Sequence, residues 1–134
     1  MGVLARTRLV ACAAAVLTVA AGLGIRGAAT GEAAKYAGDA LYTVLVHTLV
    51  VLIAPRVKPL AAAATALAFS CAVELLQLTQ FPAELAARNP LARLVLGSTF
   101  NAPDLLWYAV GAVCAGLVHS FVSARVPVAG RRAA

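Results

Sequence analysis

Few side chains in this sequence could take part in chemistry, and the most informative of them is Glu74. It lies about one helical turn inside the end of a long apolar segment, and Gln77 follows on the same helical face. Ionisable groups within apolar spans are costly and usually face a partner or a cavity rather than lipid. The expected partner of Glu74 is Arg88 or Arg93, because a guanidinium can hold a carboxylate through two hydrogen bonds.

Glu74 and the polar residues expected around it could serve one of three purposes. An ion network could pin a loop onto the helix ends without any ligand. The same groups could bind a polar or charged head group, or Glu74 and Asp104 could divide acid and base roles in catalysis. The sequence shows no nucleophile with a base beside it and no metal-ligand spacing. It therefore predicts no catalytic residue, metal or cofactor and favours a non-enzyme, although the enzyme class stays open.

A second candidate is His47, which lies near the middle of another apolar segment with Thr43 and Thr48 nearby. One interpretation is a neutral histidine that is hydrogen-bonded to a carbonyl or hydroxyl group of a neighbouring helix. The other is an intramembrane proton relay, because histidine titrates near neutrality. His119 is expected to face the membrane interface.

The composition indicates that these residues lie on membrane-embedded segments. The chain has 134 residues, of which 63% are hydrophobic and 12% charged, whereas soluble domains are about 45–50% apolar and about 25% charged. Lipid is the solvent that suits such a chain, as a single polytopic domain over residues 1–134. The net charge of +6 does not predict nucleic-acid binding, since the basic residues lie between apolar runs without interleaved aromatics. The cysteines lie singly inside apolar runs and fit neither a zinc site nor a disulfide framework: Cys12, Cys71 and Cys114.

The sequence predicts an all-α integral membrane bundle of four transmembrane helices, at about residues 9–25, 39–54, 60–78 and 104–122. The first run outlines a signal peptide, but it exceeds the usual ~7–15 residue core, which favours a retained helix. Asp39 and Asp104 are expected to be N-caps, and residues 26–38 a loop. The proline-broken outer loop 79–103 is predicted to hold a short interfacial helix, or two.

The basic residues predict an orientation. With four spans, one side of the membrane holds seven of them: Arg6, Arg8, Arg56, Lys58, Arg125, Arg131 and Arg132. The other side holds four: Arg26, Lys35, Arg88 and Arg93. Positive charge stays inside, so both termini should be cytoplasmic. The outer face then gathers a polar cluster that consists of Asp39, Glu74, Gln77, Arg88, Arg93 and Asp104.

Small residues in the fourth span predict close helix packing. Gly111 with Ala115, and Ala112 with Gly116, are four residues apart, a spacing that lets helices approach closely. The partner could be another span of the same chain or a second copy in a homo-oligomer.

Four segments resemble an uncharacterised bacterial membrane family, domain of unknown function 2809. They are GDALY at 38–42, SCAVELLQL at 70–78, RLVLGS at 93–98 and DLLWYAVG at 104–111. The resemblance runs from about residue 36 to residue 116. It implies a four-helix membrane fold with an outer-leaflet polar cluster and supplies no substrate.

More distantly, the order of five residues is similar to the VanZ-like family, which is linked with teicoplanin resistance by an unsettled mechanism. The residues are Glu74, Gln77, Arg93, Asp104 and Gly111. That family has an asparagine four residues after the aspartate, where this chain has a tyrosine.

The leading hypothesis is an accessory or ligand-binding protein of the bacterial cell envelope, in the cytoplasmic membrane. Its cluster would recognise a lipid or envelope-precursor head group, and no nucleic acid. One alternative is a small oligomeric transport component or proton-coupled permease subunit that uses His47 and Glu74. Another is a membrane-embedded hydrolase or transferase.

Overall fold

The structure, a computed structural model, describes residues 2–125. Within that range the chain forms helices and no strands: α1 (Val3–Ala28), α2 (Glu32–Ile53), α3 (Pro59–Leu76), α4 (Phe81–Arg88), α5 (Pro90–Leu96) and α6 (Ala102–Arg125). Arg131 and Arg132, which contribute to the predicted orientation, lie outside the described residues.

Four of these helices, α1, α2, α3 and α6, are long and apolar enough to cross a membrane. Only 11% to 28% of the residues in their most apolar windows are buried inside the protein. Large apolar side chains such as Leu17, Leu60 and Leu117 are exposed. Apolar surface of this extent is stable only when it is removed from water, which lipid achieves. The predicted all-helical fold with four spans is confirmed.

Helix α2 is at the centre of the bundle, since it packs against α1, α3 and α6. Lys35 near the start of α2 contacts Asp104 near the start of α6, so these two helices run parallel. Arg8 near the start of α1 donates from Nε to the carbonyl of Leu52 near the end of α2, so α1 runs antiparallel. We call the end of the bundle where α1 and α3 finish and α2 and α6 begin the loop end.

Gly111 allows α2 and α6 to approach each other closely. A Cβ atom at this position would lie 2.9 Å from the carbonyl carbon of Ala40 and closer still to its oxygen. Gly116 faces Ala63 of α3, where an added Cβ would have a contact of 3.2 Å, and Ala115 is buried. The small residues of α6 therefore pack against spans of the same chain.

Two predicted helix starts are wrong. Helix α2 begins at Glu32 after Gly31, whose φ of 94° suits glycine, so Asp39 lies two turns inside the helix and is not an N-cap. The segment 32–38 contains three alanines, one glutamate and one lysine, all of which favour helix, and this preference outweighs the glycine and the charges that predict a loop. Asp104 is the third residue of α6 rather than its N-cap.

The stretch 79–103 contains the two short helices α4 and α5, which confirms the predicted helical structure there. Each has a proline in its first turn, where no backbone donor is lost. Asn89 caps α5, since its Oδ1 accepts from the backbone N–H groups of Leu91 and Ala92. Together these helices lead the chain from α3 to α6 across the loop end.

Candidate functional site

Glu74, in the last turn of α3, is fully buried, and both of its carboxylate oxygens are hydrogen-bonded. Oε1 accepts from the backbone N–H of Asn101 at 2.7 Å. Oε2 accepts from the hydroxyl of Tyr108 on α6 at 2.8 Å. The single side chain therefore ties α3 to α6 and to the loop that enters α6.

Lys35 connects α2 to α6 through two carboxylates. Its Nζ forms a close ion pair with Oδ1 of Asp104 and lies 3.6 Å from Oδ2 of Asp39, one turn further along α2. Oδ1 of Asp104 also accepts from the side-chain amide of Asn101 at 2.8 Å. With Glu74, the loop end thus holds three carboxylates and one ammonium group, and we call these four side chains the charged cluster.

The expected arginine partners of Glu74 are wrong. In the part of the chain that the structure describes, the ion pairs are those of Lys35. The backbone of Asn101 already occupies the position beside Glu74. Arg93 is exposed on α5, and Arg88 is exposed at the end of α4.

Gln77 holds the end of α5 against the end of α3. Its Nε2 donates to the carbonyl of Leu96, while its buried Oε1 has no donor among residues 2–125. The chain then turns at Gly97, whose φ is 67°. Glycine is required here for two reasons, because an added Cβ would also overlap the amide group of Gln77.

A cavity of about 870 Å³ opens at the loop end. Its charged lining consists of Arg26, Lys35, Asp39, Glu74, Arg93 and Asp104. Away from these groups the cavity continues between α1 and α2, where Thr18, Val19 and Leu45 line it. Thr18 lies ten residues before the end of α1, which corresponds to about 15 Å along the helix at 1.5 Å per residue. The cavity therefore combines a charged end with an apolar groove.

His47 belongs to a different contact, further along α2. It is only 3% exposed, and its Nε2 lies 3.1 Å from Nδ1 of His119 on α6, with the rings nearly perpendicular. The expectation that His119 faces the membrane interface is wrong. One helical turn before His47, Thr43 donates to the hydroxyl of Ser70 on α3 at 2.9 Å. Neither histidine lines the large cavity.

The structure brings most of the predicted polar cluster to one cavity: Asp39, Glu74, Gln77, Arg93 and Asp104. Arg88 is absent from the lining. Four further residues of the site, Arg26, Lys35, Asn101 and Tyr108, are absent from the predicted cluster, and two of them had a signal in their spacing. Lys35 is four residues before Asp39 and Tyr108 four residues after Asp104, so each pair shares a helix face. Asn101 binds Glu74 through its backbone, which no residue type could have indicated.

One comparison with known proteins finds a relationship. A family model described as "Protein of unknown function (DUF2809)" matches residues 29–112. No curated protein and no solved structure matches the chain. Because the family match covers more than half of the chain, the chain belongs to this family. The matched region includes the whole charged cluster and excludes α1.

Proposed function

We propose that this DUF2809 protein binds a membrane lipid at the loop end. The head group would lie against the charged cluster and the apolar part in the groove between α1 and α2. The observation that carries the proposal is that one cavity is lined both by the charged side chains of Lys35 and Asp39 and by the apolar side chains of Val19 and Leu45. Its volume of about 870 Å³ is within the range of roughly 300–1,000 Å³ that is typical of ligand sites.

The position of the cavity along the helices supports an amphiphilic ligand. Helix α3 has 18 residues, which is about 27 Å, close to the ~30 Å of a hydrocarbon core. Its last turn, which contains Glu74, and the following residue Gln77 would therefore lie near the level of the lipid head groups. A lipid that entered sideways would find polar partners at this level and apolar ones deeper in the bilayer.

The hydrogen bonds of Glu74 indicate that this residue has a different role from Asp39 and Arg93. Both of its oxygens are already bound by Asn101 and Tyr108, so we assign to Glu74 the positioning of the cavity wall. The side chains of Asp39 and Arg93 line the cavity; that of Arg93 forms no ion pair within residues 2–125, and Oδ2 of Asp39 has only the 3.6 Å contact with Lys35. We assign contact with the ligand to these two side chains.

The proposed binding can be tested with a matched pair of glycine substitutions in α1. Gly22 lines the cavity and Gly24 does not, and an added Cβ at either position has no atom within 4 Å. Gly22→Phe should fill the groove and lower the amount of lipid that copurifies in mild detergent, whereas Gly24→Phe should leave it unchanged. Phospholipid per protein, measured by mass spectrometry, would contradict the proposal if wild type and both variants retained equal amounts.

We further propose that the loop end faces the outer leaflet of a bacterial cytoplasmic membrane, in accord with the distribution of basic residues. In a cysteine-free background, Ser98→Cys at the loop end and Lys58→Cys at the opposite end give exposed labelling positions. A membrane-impermeant maleimide should label Ser98→Cys in intact cells and Lys58→Cys only after lysis. The reverse pattern would overturn this orientation.

A further inference from the structure

We propose that the lipid head group is a phosphodiester that carries a primary amine, as in phosphoethanolamine. Its ammonium group would bind at Asp39 and Gln77, and its phosphate at Arg93. The inference rests on the proposed lipid binding and specifies the chemistry that the same site recognises.

Two acceptor atoms on the carboxylate side of the cavity have no hydrogen-bond donor among residues 2–125. The side chain of Asp39 is 17% exposed and lies in the cavity wall, and its Oδ2 atom, which is itself buried, has no hydrogen-bond donor within 3.5 Å in residues 2–125. The nearest cation, Lys35, is 3.6 Å away and is held by Asp104. Oε1 of Gln77, in the same lining, also has no donor there. A second cation with N–H groups would satisfy both the charge and the acceptors.

The type of cation follows from the acceptors. A primary ammonium group has three N–H donors, like that of lysine, and can therefore donate to a carboxylate and to an amide oxygen. A trimethylated ammonium group carries the same charge but has no N–H group. We therefore expect the site to prefer ethanolamine over choline.

The phosphate side of the cavity is formed by arginines from other helices. Arg93 on α5 and Arg26 at the end of α1 both line the cavity, and neither forms an ion pair within the described part of the chain. A guanidinium group binds phosphate through two parallel N–H donors. The acceptor atoms of Asp39 and Gln77 belong to α2 and the end of α3. The ammonium group and the phosphate of a zwitterion would therefore bind to different helices.

The charge of the whole lining favours a ligand without net charge. The cavity has three carboxylates, Asp39, Glu74 and Asp104, and three cations, Arg26, Lys35 and Arg93. A zwitterionic head group preserves this balance, whereas phosphatidylglycerol would add a negative charge and bring no ammonium group to donate to Asp39. Both the donor count and the charge balance therefore select phosphatidylethanolamine among common phospholipids.

The inference can be tested by competition in mixed micelles that contain equal amounts of phosphatidylethanolamine, phosphatidylcholine and phosphatidylglycerol with identical acyl chains. Native mass spectrometry of the full chain should show phosphatidylethanolamine retained about tenfold over each of the others, because one hydrogen bond to a charged group contributes about 1.5 kcal/mol or more. Arg93→Gln should lower total lipid retention, and Asp39→Asn should remove the preference for ethanolamine over choline.

Matched controls come from residues outside the cavity. Arg88→Gln and Glu84→Gln change exposed side chains of the adjacent helix α4 that do not line the cavity, and both should behave as wild type. If Asp39→Asn fails to fold, the exposed Arg93 variant and the preference of the wild type still test the inference. A water-soluble glycerophosphoethanolamine at equal concentration should displace little lipid, because it lacks the chains that fill the groove.

Three results would overturn the inference, and they differ from failure of the proposed function. Equal retention of the three lipids, with loss in Gly22→Phe, would leave lipid binding intact and remove the amine specificity. Equal displacement by the soluble head group would show that a free solute is recognised. If wild type retained no more lipid than Gly22→Phe, lipid binding itself would fail and the inference with it.

Discussion

Helices α2 and α6 are joined by polar side chains in two regions that differ in chemistry. At the loop end, Lys35 meets Asp104, and Glu74 extends the contact to α3 and the incoming loop. Further along, His47 meets His119 through one pair of ring nitrogens. The first region lines a cavity of about 870 Å³, whereas the histidines do not line it.

The difference shows how charge determines the number of partners that a buried group requires. A buried carboxylate is stable only when several donors replace water, so Glu74 recruits a hydroxyl and a loop N–H. The neutral histidine pair persists with fewer partners, since one hydrogen bond joins the rings and the buried Nδ1 of His47 has no partner among residues 2–125. The charged cluster therefore fixes the shape of a loop and a cavity wall, while the histidine pair adds a local contact between two helices.

Loss of Glu74 should have the largest effect. Glu74→Ala leaves the N–H of Asn101 and the hydroxyl of Tyr108 without their acceptor, and it opens space in a fully buried position. We expect the free energy of unfolding to fall by about 3–5 kcal/mol, measured by denaturation in mixed detergent micelles. Glu74→Gln keeps one acceptor oxygen and should lose less than half as much. Equal losses for the two variants would mean that the carboxylate is not what joins the loop to α3.

The second largest effect is expected at Gly111, where α2 and α6 are in contact between the two regions. Gly111→Ala would place a methyl group against the backbone of Ala40 and push α2 away from α6. Overpacking of this kind destabilises by about 1–3 kcal/mol. Gly116→Ala is the control, since its methyl group would meet only the side chain of Ala63 at 3.2 Å. Thermal stability in detergent should fall clearly for the first variant and little for the second, and the opposite order would contradict the observed helix crossing.

The sequence predicted the fold better than the partners within the site. Apolar runs of sufficient length determine the four spans, because each must match the thickness of the same bilayer. The convergence of Glu74 and Asp104 at one end follows directly from the alternating direction of the spans. The start of α2 was predicted seven residues too late, because charged residues such as Lys35 resemble a loop when a helix extends beyond the apolar core.

The identity of the partners could not be predicted for a physical reason. Arginine is a strong partner for a carboxylate, so the sequence predicts Arg88 or Arg93. The backbone N–H of Asn101 binds Glu74 instead, and it does so without the entropy cost of ordering a long side chain. The hydroxyl of Tyr108 supplies the second donor, which is neutral rather than cationic. Side-chain chemistry alone does not indicate which donors the backbone will provide.

Removal of the Tyr108 hydroxyl should have an intermediate effect. Tyr108→Phe keeps the ring in its buried position and leaves Oε2 of Glu74 without a donor. The free energy of unfolding should fall by about 1–2 kcal/mol, as is typical for an unsatisfied buried group. In the Glu74→Ala background the same change should have little effect, since its partner is already absent. Additive losses would show that the two groups act independently.

The smallest effect is expected at the histidine pair, and a double-mutant cycle can measure it. His47→Leu, His119→Leu and the double variant should give an interaction free energy of about 0.6 kcal/mol, the average for hydrogen bonds between membrane helices. The retained lipid should not change in any of them, because neither ring lines the cavity. If His47→Leu lowered lipid retention as much as Gly22→Phe, the two regions would be coupled through α2. The histidines would then belong to the site, since a packing contact between α2 and α6 gives no reason for such coupling when Gly111 already holds these helices together.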